Sequence, residues 1–374
     1  MKIGFVIYGS LDTLSGGYLY DRKLVEYLRS QGDEVEIISL AWRNYFSHLT
    51  DNFTFKLPAG FDILIQDELN HPSFIGANCG KHPYPIVSLV HHLRCSELRP
   101  KWQNDFYRII EKKYLQSVDG FIFNSQTTKR VVNRLLNRRG DPSKNEKHHN
   151  HQGQVALPSI VAYPPTDRFG EAVSENEIIE RSKSQKLRIL FLGNVMERKG
   201  LHTLLKAVSG QRSVVNVDVV GSLNVEPSYV KKIQKYITVS GQSSVVTFHG
   251  ALDNEPLKQK LKQSHILIVP SSYEGFGIVY LEGMGFGLPA IGTTAGAASE
   301  VIEHGKTGYL IEPNDSESLA KIISKLAEDR NLLTQLSINA RNRYSSQPKW
   351  EETAQNIRNF LQKMANEHSS AIIS

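Results

Sequence analysis

Two carboxylates, Glu274 and Glu282, lie eight positions apart around a glycine-bearing turn at 275–277. The preceding run at 266–270, Ile-Leu-Ile-Val-Pro, is typical of a buried parallel strand, and the apolar residues after the turn predict a short helix. Glu274 is expected in the turn and Glu282 two turns into the helix, about 80° round from Glu274 if both were helical. Carboxylate oxygens accept hydrogen bonds from sugar hydroxyls, and the N–H groups of a helix amino terminus bind phosphate. This pattern therefore predicts a site for a sugar and a phosphate.

Two adjacent cations, Arg198 and Lys199, precede a predicted helix at 200–208 and follow a predicted strand at 187–192. A cation at a helix amino terminus opposes the helix dipole, and a bound anion would remove that conflict. Phosphate is a suitable anion because arginine can contact it with two parallel hydrogen bonds. The alternative is that both residues are ordinary surface cations.

Two further groups of residues in the first half of the chain follow predicted strands. Gly16 and Gly17 precede the first amphipathic helix, where they either form a tight turn or let the backbone approach a phosphate. His91 and His92 follow the strand at 86–90, where imidazole can bind a sugar hydroxyl, transfer a proton or be merely structural. The segment 9–17 lacks the G-x-G-x-x-G spacing of nicotinamide-binding domains, which argues against an oxidoreductase.

Strand-like runs alternate with helical patterns along the whole chain of 374 residues, which favours parallel sheets with right-handed crossovers. The sequence predicts an α/β fold with two doubly wound, Rossmann-like domains that face each other across an interdomain cleft. We expect a first domain at 1–168, a polar linker at 169–186 and a second domain at 187–349. A last helix at 350–374 is expected to pack across the hinge.

Composition limits the classes of protein. The net charge is +6, and part of it is a basic helical pattern at 129–139 followed by Lys144, Lys147 and a histidine run at 148–151. This is either a solvated face with a loop or a patch for an anionic membrane surface or acceptor. No aromatic-basic interleaving supports nucleic acid binding. Only two cysteines occur, no window is apolar enough to span a bilayer, and the first eight residues read as a strand, so we expect a cytoplasmic protein.

The order of these motifs resembles glycosyltransferase family 4, the retaining transferases of GT-B fold. The carboxylate pair looks like the E-x7-E motif of that family. The segments 190–200, 270–289 and 300–313 resemble its donor domain in the same order, and the resemblance covers about 187–315 well. The first half matches more loosely, through the glycine pair, the first histidine and 124–125.

The resemblance implies roles for individual residues. As catalytic residues it implies Lys199, which would neutralise the pyrophosphate, Glu274, which would hold hydroxyls of the donor sugar, and His91, which would contact the sugar or the acceptor, with His92 as the alternative. As further donor-binding residues it implies Glu282, which would bind ribose, and the set Gly16, Gly17, Asn194, Arg198, Phe276, Gly277 and Ile278.

One position departs from the pattern of the family. Asn194 follows the strand-end glycine where many members carry arginine, and Arg198 is the candidate to replace that charge. The implied reaction is transfer of a hexose from UDP-sugar or GDP-sugar to a hydroxyl acceptor with retention, and the acceptor stays open among a lipid-linked sugar, a polysaccharide, a protein and a small molecule. The basic pattern at 129–139 favours a lipid-linked or polyanionic acceptor and peripheral association at the cytoplasmic membrane face. No Asp-x-Asp motif occurs, so we expect neither a divalent metal nor another cofactor. The alternatives are a sugar-nucleotide epimerase and a non-catalytic, nucleotide-sugar-binding subunit of a transferase.

Overall fold

A computed structural model describes residues 1–13, 15–80, 82–137, 157–165, 167–170, 172–211 and 214–373. These residues divide into two compact units. One contains Met1–Pro164 together with Trp350–Ser374, and the other contains Pro165–Lys349. Part of the predicted basic surface, namely 138–139, Lys144, Lys147 and the histidine run, lies outside the described residues.

The described residues form strands and helices in regular alternation. The strands are β1 (Lys2–Tyr8), β2 (Glu34–Leu40), β3 (Ile63–Asp67), β4 (Ile86–Val90), β5 (Gly120–Phe123), β6 (Ser159–Val161), β7 (Leu187–Leu192), β8 (Val215–Val220), β9 (Val246–Gly250), β10 (Ile266–Ile268), β11 (Ala290–Thr293) and β12 (Gly308–Ile311). The helices are α1 (Gly16–Ser30), α2 (Tyr45–Leu49), α3 (Asp51–Thr54), α4 (His71–Phe74), α5 (Lys101–Leu115), α6 (Gln126–Asn137), α7 (Glu175–Ser182), α8 (Leu201–Val208), α9 (Pro227–Val239), α10 (Asn254–Gln263), α11 (Ile278–Gly285), α12 (Ser316–Glu328), α13 (Arg330–Ser345) and α14 (Trp350–Ile373).

Each unit contains one six-stranded sheet in which every paired strand is parallel. The first sheet has the order β2-β1-β3-β4-β5-β6, and the second has the order β12-β11-β10-β7-β8-β9. The central strands β3, β4 and β5 are buried along their whole length, as expected for a parallel sheet with helices on both faces. The prediction of two doubly wound α/β domains is confirmed.

Two predicted segments have a different role in the structure. The segment 169–186, predicted as linker, belongs to the second unit and contains α7, which begins with a capping box between Ser174 and Glu177 and buries Ile178. Charged residues of α7 therefore form a stable amphipathic helix rather than an extended connection. The last helix, α14, groups with the first unit.

Helix α14 completes the hydrophobic core of the first unit. Its buried residues Ala354, Ile357, Leu361 and Met364 join the cluster formed by α1 and the strands of the first sheet. The Arg358 guanidinium binds the Asp33 carboxylate at 2.6 Å. No helix among the described residues combines the length and the apolar content that crossing a bilayer requires.

We predict that Leu361→Ala lowers the free energy of unfolding by about 2–5 kcal/mol, because a fully buried leucine leaves a cavity. Urea unfolding followed by circular dichroism measures the change. Lys363→Ala on the same helix is the control, since this side chain is 72% exposed and such changes stay within about 0.5 kcal/mol. Equal effects of the two substitutions would remove α14 from the core.

Candidate functional site

The second sheet brings the two predicted motif segments together at one edge. Strands β7 and β10 are neighbours and run parallel, so the segments after their carboxyl ends lie side by side. A 3₁₀ turn at Glu197–Lys199 follows β7, and the segment 269–277 follows β10. The two are joined by a hydrogen bond of 2.8 Å from the Ser272 N–H to the Arg198 carbonyl. The two predicted cations and Glu274 therefore lie together at the carboxyl edge of the second sheet.

The centre of this place is a buried ion pair. Lys199 Nζ donates to Glu274 Oε1 at 2.6 Å, and the two side chains are only 15% and 9% exposed. The same oxygen accepts a hydrogen bond of 2.5 Å from Ser271 Oγ. Water is largely excluded, so the attraction between the charges is much stronger than at a surface.

The pKa values of the pair follow from burial and mutual attraction. Burial lowers the pKa of Lys199 more than the nearby carboxylate of Glu274 raises it. Burial also raises the pKa of Glu274, but the charges of Lys199 and Arg198 outweigh that effect, and the pKa is lowered overall. Glu274 is therefore anionic at neutral pH and is a hydrogen-bond acceptor rather than a proton donor.

Two glycines permit the close backbone approach that this arrangement needs. Gly200, with φ of 72°, precedes α8, and a Cβ atom there would lie 2.1 Å from the carbonyl oxygen of Pro270. Gly296, with φ of 85°, lies against Glu274, whose carbonyl oxygen would be 2.1 Å from such a Cβ atom. Both the space and the left-handed conformation require glycine.

Asn194 and Arg198 make contacts within the second unit. Asn194 Oδ1 accepts a hydrogen bond of 3.3 Å from the Ser222 N–H, so the amide connects the segments that follow β7 and β8. Arg198 Nη1 donates to the carbonyl of Tyr273 at 2.7 Å. The guanidinium is thus held beside Glu274, and the site keeps a second cation although Asn194 is neutral.

Helix α11 begins after the glycine-bearing turn, as the sequence predicts. It starts at Ile278, after Gly277 in a left-handed conformation, so Glu274 lies in the turn and Glu282 lies in the helix. Glu274 forms an isolated bridge with Gly296. Gly277 has no side chain that could accept from the N–H groups of the first turn, and Phe276 before it is buried.

Glu282 is buried on α11 and has a partner of its own. Arg168 Nη1 donates to Glu282 Oε1 at 2.6 Å, and Arg168 Nη2 donates to Asn254 Oδ1 at 2.9 Å. Burial raises the pKa of Glu282, although the positive charge of Arg168 acts in the opposite direction. The carboxylate is oriented by an arginine that lies 114 positions earlier in the chain.

The remaining predicted residues form a group in the first unit. Gly16 begins α1 and Gly17 follows, with Ser15 Oγ accepting from the Tyr18 N–H as helix cap. A Cβ atom at Gly17 would lie 3.4 Å from Cδ2 of His91, which stands at the carboxyl end of β4. Next to it, Nε2 of His92 lies 2.9 Å from Glu97 Oε1.

Acidic side chains surround His91. Its Nε2 lies 3.0 Å from Asp21 Oδ1, and its backbone N–H donates to Glu68 Oε2 at 2.8 Å. Burial raises the pKa of Asp21 to about 7 and, together with the nearby charge of Asp21, that of Asp67 to about 8. Burial lowers the pKa of His91, despite the opposing effect of Asp67. The imidazole is therefore neutral at physiological pH.

The same cluster has the donor atoms of a metal site. Asp21, Asp67 and His91 each offer one ligand atom, and these atoms lie within 4.8 Å of one another. Two buried carboxyls can be neutralised either by a cation or by protons, and the placement of the three ligand atoms is compatible with both.

We predict that Asp21→Asn becomes more stable relative to the wild type as the pH rises from about 4 to about 7. The folded chain holds the Asp21 proton to about pH 7, whereas the unfolded chain releases it near the ordinary pKa of 3.8. The wild type therefore loses stability across this window, and the amide variant lacks that loss. Urea unfolding at several pH values measures the difference.

Glu36→Gln supplies the control, because it makes the same change from carboxyl to amide at an exposed position. A constant difference for Asp21→Asn as well would show that Asp21 titrates alike in the folded and unfolded chain.

Several site residues escaped the sequence reasoning. Asp21 lies on the face of α1 that also buries Tyr18, Leu24 and Leu28, so a charged residue within an apolar helical stripe was an available signal. Asp67 ends a fully buried strand, which was a second signal. The sequence contains no signal for the contact of Arg168 with Glu282, because this contact depends on the path of the segment that follows β6.

The comparisons with known proteins follow the division of the chain into units. Residues 173–343, which lie within the second unit, match the family model described as glycosyl transferases group 1. The chain is 28% identical over 180 residues to the capsular polysaccharide biosynthesis glycosyltransferase CapM of Staphylococcus aureus, which covers 46% of each chain. It is 26% identical over 215 residues to a GDP-mannose-dependent phosphatidylinositol monomannoside mannosyltransferase of Mycobacterium tuberculosis, covering 54% of this chain and 56% of the relative. The chain thus spans about half the length of these curated relatives.

Solved structures match over nearly the whole chain. A sucrose-phosphate synthase from Thermosynechococcus elongatus superposes with a TM-score of 0.78 at 18% identity, covering 97% of this chain and 98% of that one. The Anabaena protein HepE, solved with UDP and glucose, superposes with a TM-score of 0.71 at 20% identity, covering 97% and 99%. At these identities the likeness shows a common fold, with two Rossmann-like domains.

Proposed function

Because the second unit of this chain belongs to the glycosyl transferases of group 1, we propose that the protein transfers a hexose-type sugar from a nucleotide-diphosphate donor to a hydroxyl acceptor. The observation that carries this proposal is the buried pair of Lys199 and Glu274 at the carboxyl edge of the second sheet. A cation and a hydroxyl-accepting anion are the two groups that a sugar diphosphate requires.

The chemical demand of the reaction is stabilisation of the leaving group. When the bond between the sugar C1 and the diphosphate oxygen breaks, negative charge grows on the phosphate and positive charge on the sugar ring. Lys199, Arg198 and the N–H groups that begin α11 would stabilise the phosphate. This assignment requires no divalent metal and no other cofactor. It is supported by the closeness of the two cations, because Glu274 holds Lys199 and the adjacent carbonyl of Tyr273 holds Arg198.

Glu274 would hold hydroxyls of the donor sugar, and Glu282 would bind those of the ribose. Both carboxylates are already oriented, the first by Lys199 and Ser271 and the second by Arg168, so little side-chain freedom is lost on binding. Glu274 is engaged by its partners as an acceptor, which favours a binding role over attack on the sugar. The resemblance to the retaining transferases of GT-B fold supports transfer on the face from which the diphosphate departs, with retention of configuration.

In the first unit, the residues that would contact the donor sugar or the acceptor are Gly16, Gly17 and His91. The neutral imidazole of His91 is positioned by Asp21, which leaves its other ring nitrogen for a hydroxyl group. His92 is the weaker candidate because its ring lies against Glu97.

The donor base, the acceptor and the compartment belong to the proposal as well. HepE was solved with UDP-glucose, and a relative depends on GDP-mannose, so UDP-sugars and GDP-sugars are the candidates. The named relatives act in capsular polysaccharide biosynthesis or on a phosphatidylinositol mannoside, which supports a polysaccharide or lipid-linked acceptor. Cys79 and Cys95 are free thiols, as expected for the cytoplasm.

A second candidate function rests on Asn194. Its side-chain oxygen is engaged by the Ser222 N–H, and a neutral amide stands where many similar enzymes have a cation. A chain with a weakened phosphate clamp could bind the nucleotide sugar as the non-catalytic subunit of a transferase. Slow hydrolysis of the donor by the purified chain would exclude this alternative.

We predict that, among UDP, GDP, ADP and NAD, one of the nucleoside diphosphates raises the thermal unfolding midpoint of the wild type and NAD does not. A ligand at about 100 times its dissociation constant adds about 2.7 kcal/mol to the free energy of unfolding. Glu282→Ala should abolish this ligand-induced increase, and the exposed Glu328→Ala should keep it. If no diphosphate stabilises the wild type, the edge of the second sheet is not a donor site.

We predict that Lys199→Ala lowers kcat by about a hundredfold or more while the dissociation constant of the nucleotide sugar changes much less. The reason is that the diphosphate gains negative charge as its bond to the sugar C1 breaks, so Lys199 stabilises the transition state more than the bound donor. Initial rates together with calorimetric titration of the donor separate the two quantities. Small and equal changes in both would assign Lys199 to donor binding alone.

A further inference from the structure

We propose that an aromatic face on the first unit, formed by Phe46, Trp102, Phe106 and Ile109, is a docking surface for a bilayer that contains anionic lipids. This proposal does not depend on the donor site, because all four residues lie in the first unit. It also names a surface other than the basic pattern at 129–139.

Three of the four residues form a stripe along α5. Trp102, Phe106 and Ile109 follow the spacing i, i+4 and i+7, which places them within about 60° of one another. The residues that α5 buries, Glu111, Tyr114 and Leu115, lie on the other side of the helix. The stripe therefore points away from the core.

The stripe is exposed to an unusual degree for its composition. Trp102 is 71% exposed and Ile109 is 57% exposed, with the rest of the chain in place. Phe46 of α2 is 70% exposed and extends the stripe, since its ring centroid lies 5.8 Å from that of Phe106. Scattered exposed apolar residues are normal, but a contiguous group of large ones marks an interaction site.

Charge distinguishes a membrane from other occupants. Helix α5 carries four cations, Lys101, Arg108, Lys112 and Lys113, and two acidic residues. Glu111 is buried, and Asp105 is bound by Lys101 at 3.3 Å and by Arg108 at 2.5 Å. Cations around an exposed aromatic helix face match the head groups of anionic lipids, while tryptophan and phenylalanine suit the boundary with the acyl chains.

The same charges disfavour two other occupants. A second copy of this chain would bring the lysines and the arginine of both faces together, which is repulsive. A glycan would stack on flat rings that line a groove, whereas a helix face is convex and Ile109 has no ring.

The location of this aromatic face agrees with a lipid-linked acceptor. Helix α2 follows β2, and α5 follows the segment after β4, whose carboxyl end carries His91. Both helices thus leave the edge of the first sheet where the proposed acceptor-side residue lies. This step rests on the proposed function, whereas the docking surface itself can be tested without any donor or acceptor.

Sedimentation of the full chain with vesicles tests the surface. We expect the protein to sediment with vesicles of phosphatidylcholine and phosphatidylglycerol, and less with phosphatidylcholine alone or at high salt. The double variant Trp102→Ser, Ile109→Ser should lower the apparent affinity for the mixed vesicles at least about tenfold, because two large apolar side chains no longer enter the interface. Its thermal unfolding midpoint should stay unchanged, since both side chains are exposed.

Val239→Ser is the matched control, because Val239 is a 79% exposed apolar residue of α9 in the second unit, and it should bind vesicles as the wild type does. Vesicles with brominated acyl chains add a second readout, in which wild-type fluorescence is quenched and Trp102→Phe removes that quenching.

Each of four results would overturn the proposal. The wild type could fail to bind either kind of vesicle. The double variant could bind the vesicles as the wild type does, which would place any membrane contact elsewhere. The double variant could lose self-association measured by sedimentation velocity, which would assign the face to a second copy. It could instead lose binding to a soluble polysaccharide, which would assign the face to a glycan.

Discussion

A lysine and a glutamate that are both withdrawn from water remain charged at a tolerable free energy only while they face each other. The pair of Lys199 and Glu274 imposes this constraint on the whole carboxyl edge of the second sheet. Two segments that follow different strands must approach within hydrogen-bond distance, and glycines at 200 and 296 provide the required space. Ser271 adds a hydrogen bond to the carboxylate, and Arg198 adds a second positive charge. The edge of the sheet is thereby built around one electrostatic requirement.

The first unit meets a similar requirement in a different way. Asp21, Asp67 and Glu68 are all buried close to His91, and the pKa of each carboxyl is raised, with burial as the main cause. In the second unit a buried carboxylate keeps its charge because a lysine accompanies it. In the first unit burial instead raises the pKa of the carboxyls and favours their protonated forms.

The sequence predicted the parts of the structure that depend on local pattern. Alternation of apolar strands and amphipathic helices predicted both parallel sheets, and position after a strand predicted that Lys199 and Glu274 share an edge. What it missed depends on tertiary contacts. Helix α7 consists mostly of polar residues, so its composition resembles that of a linker. Only the structure shows that Ile178 is buried and that Ser174 and Glu177 form a capping box. The partner of Glu282 is Arg168, and no spacing rule connects residues so far apart.

The path of the chain through its two units has a consequence for synthesis. The second unit is one continuous stretch, Pro165–Lys349, whereas the first needs α14 to fill its core. During translation the second unit can therefore complete its packing while the first still exposes the apolar surface that Ile357 and Leu361 will cover. If translation terminated shortly before Trp350, the released chain would contain a complete second unit and a first unit without α14. Chaperones would then be needed for the first unit rather than for the second.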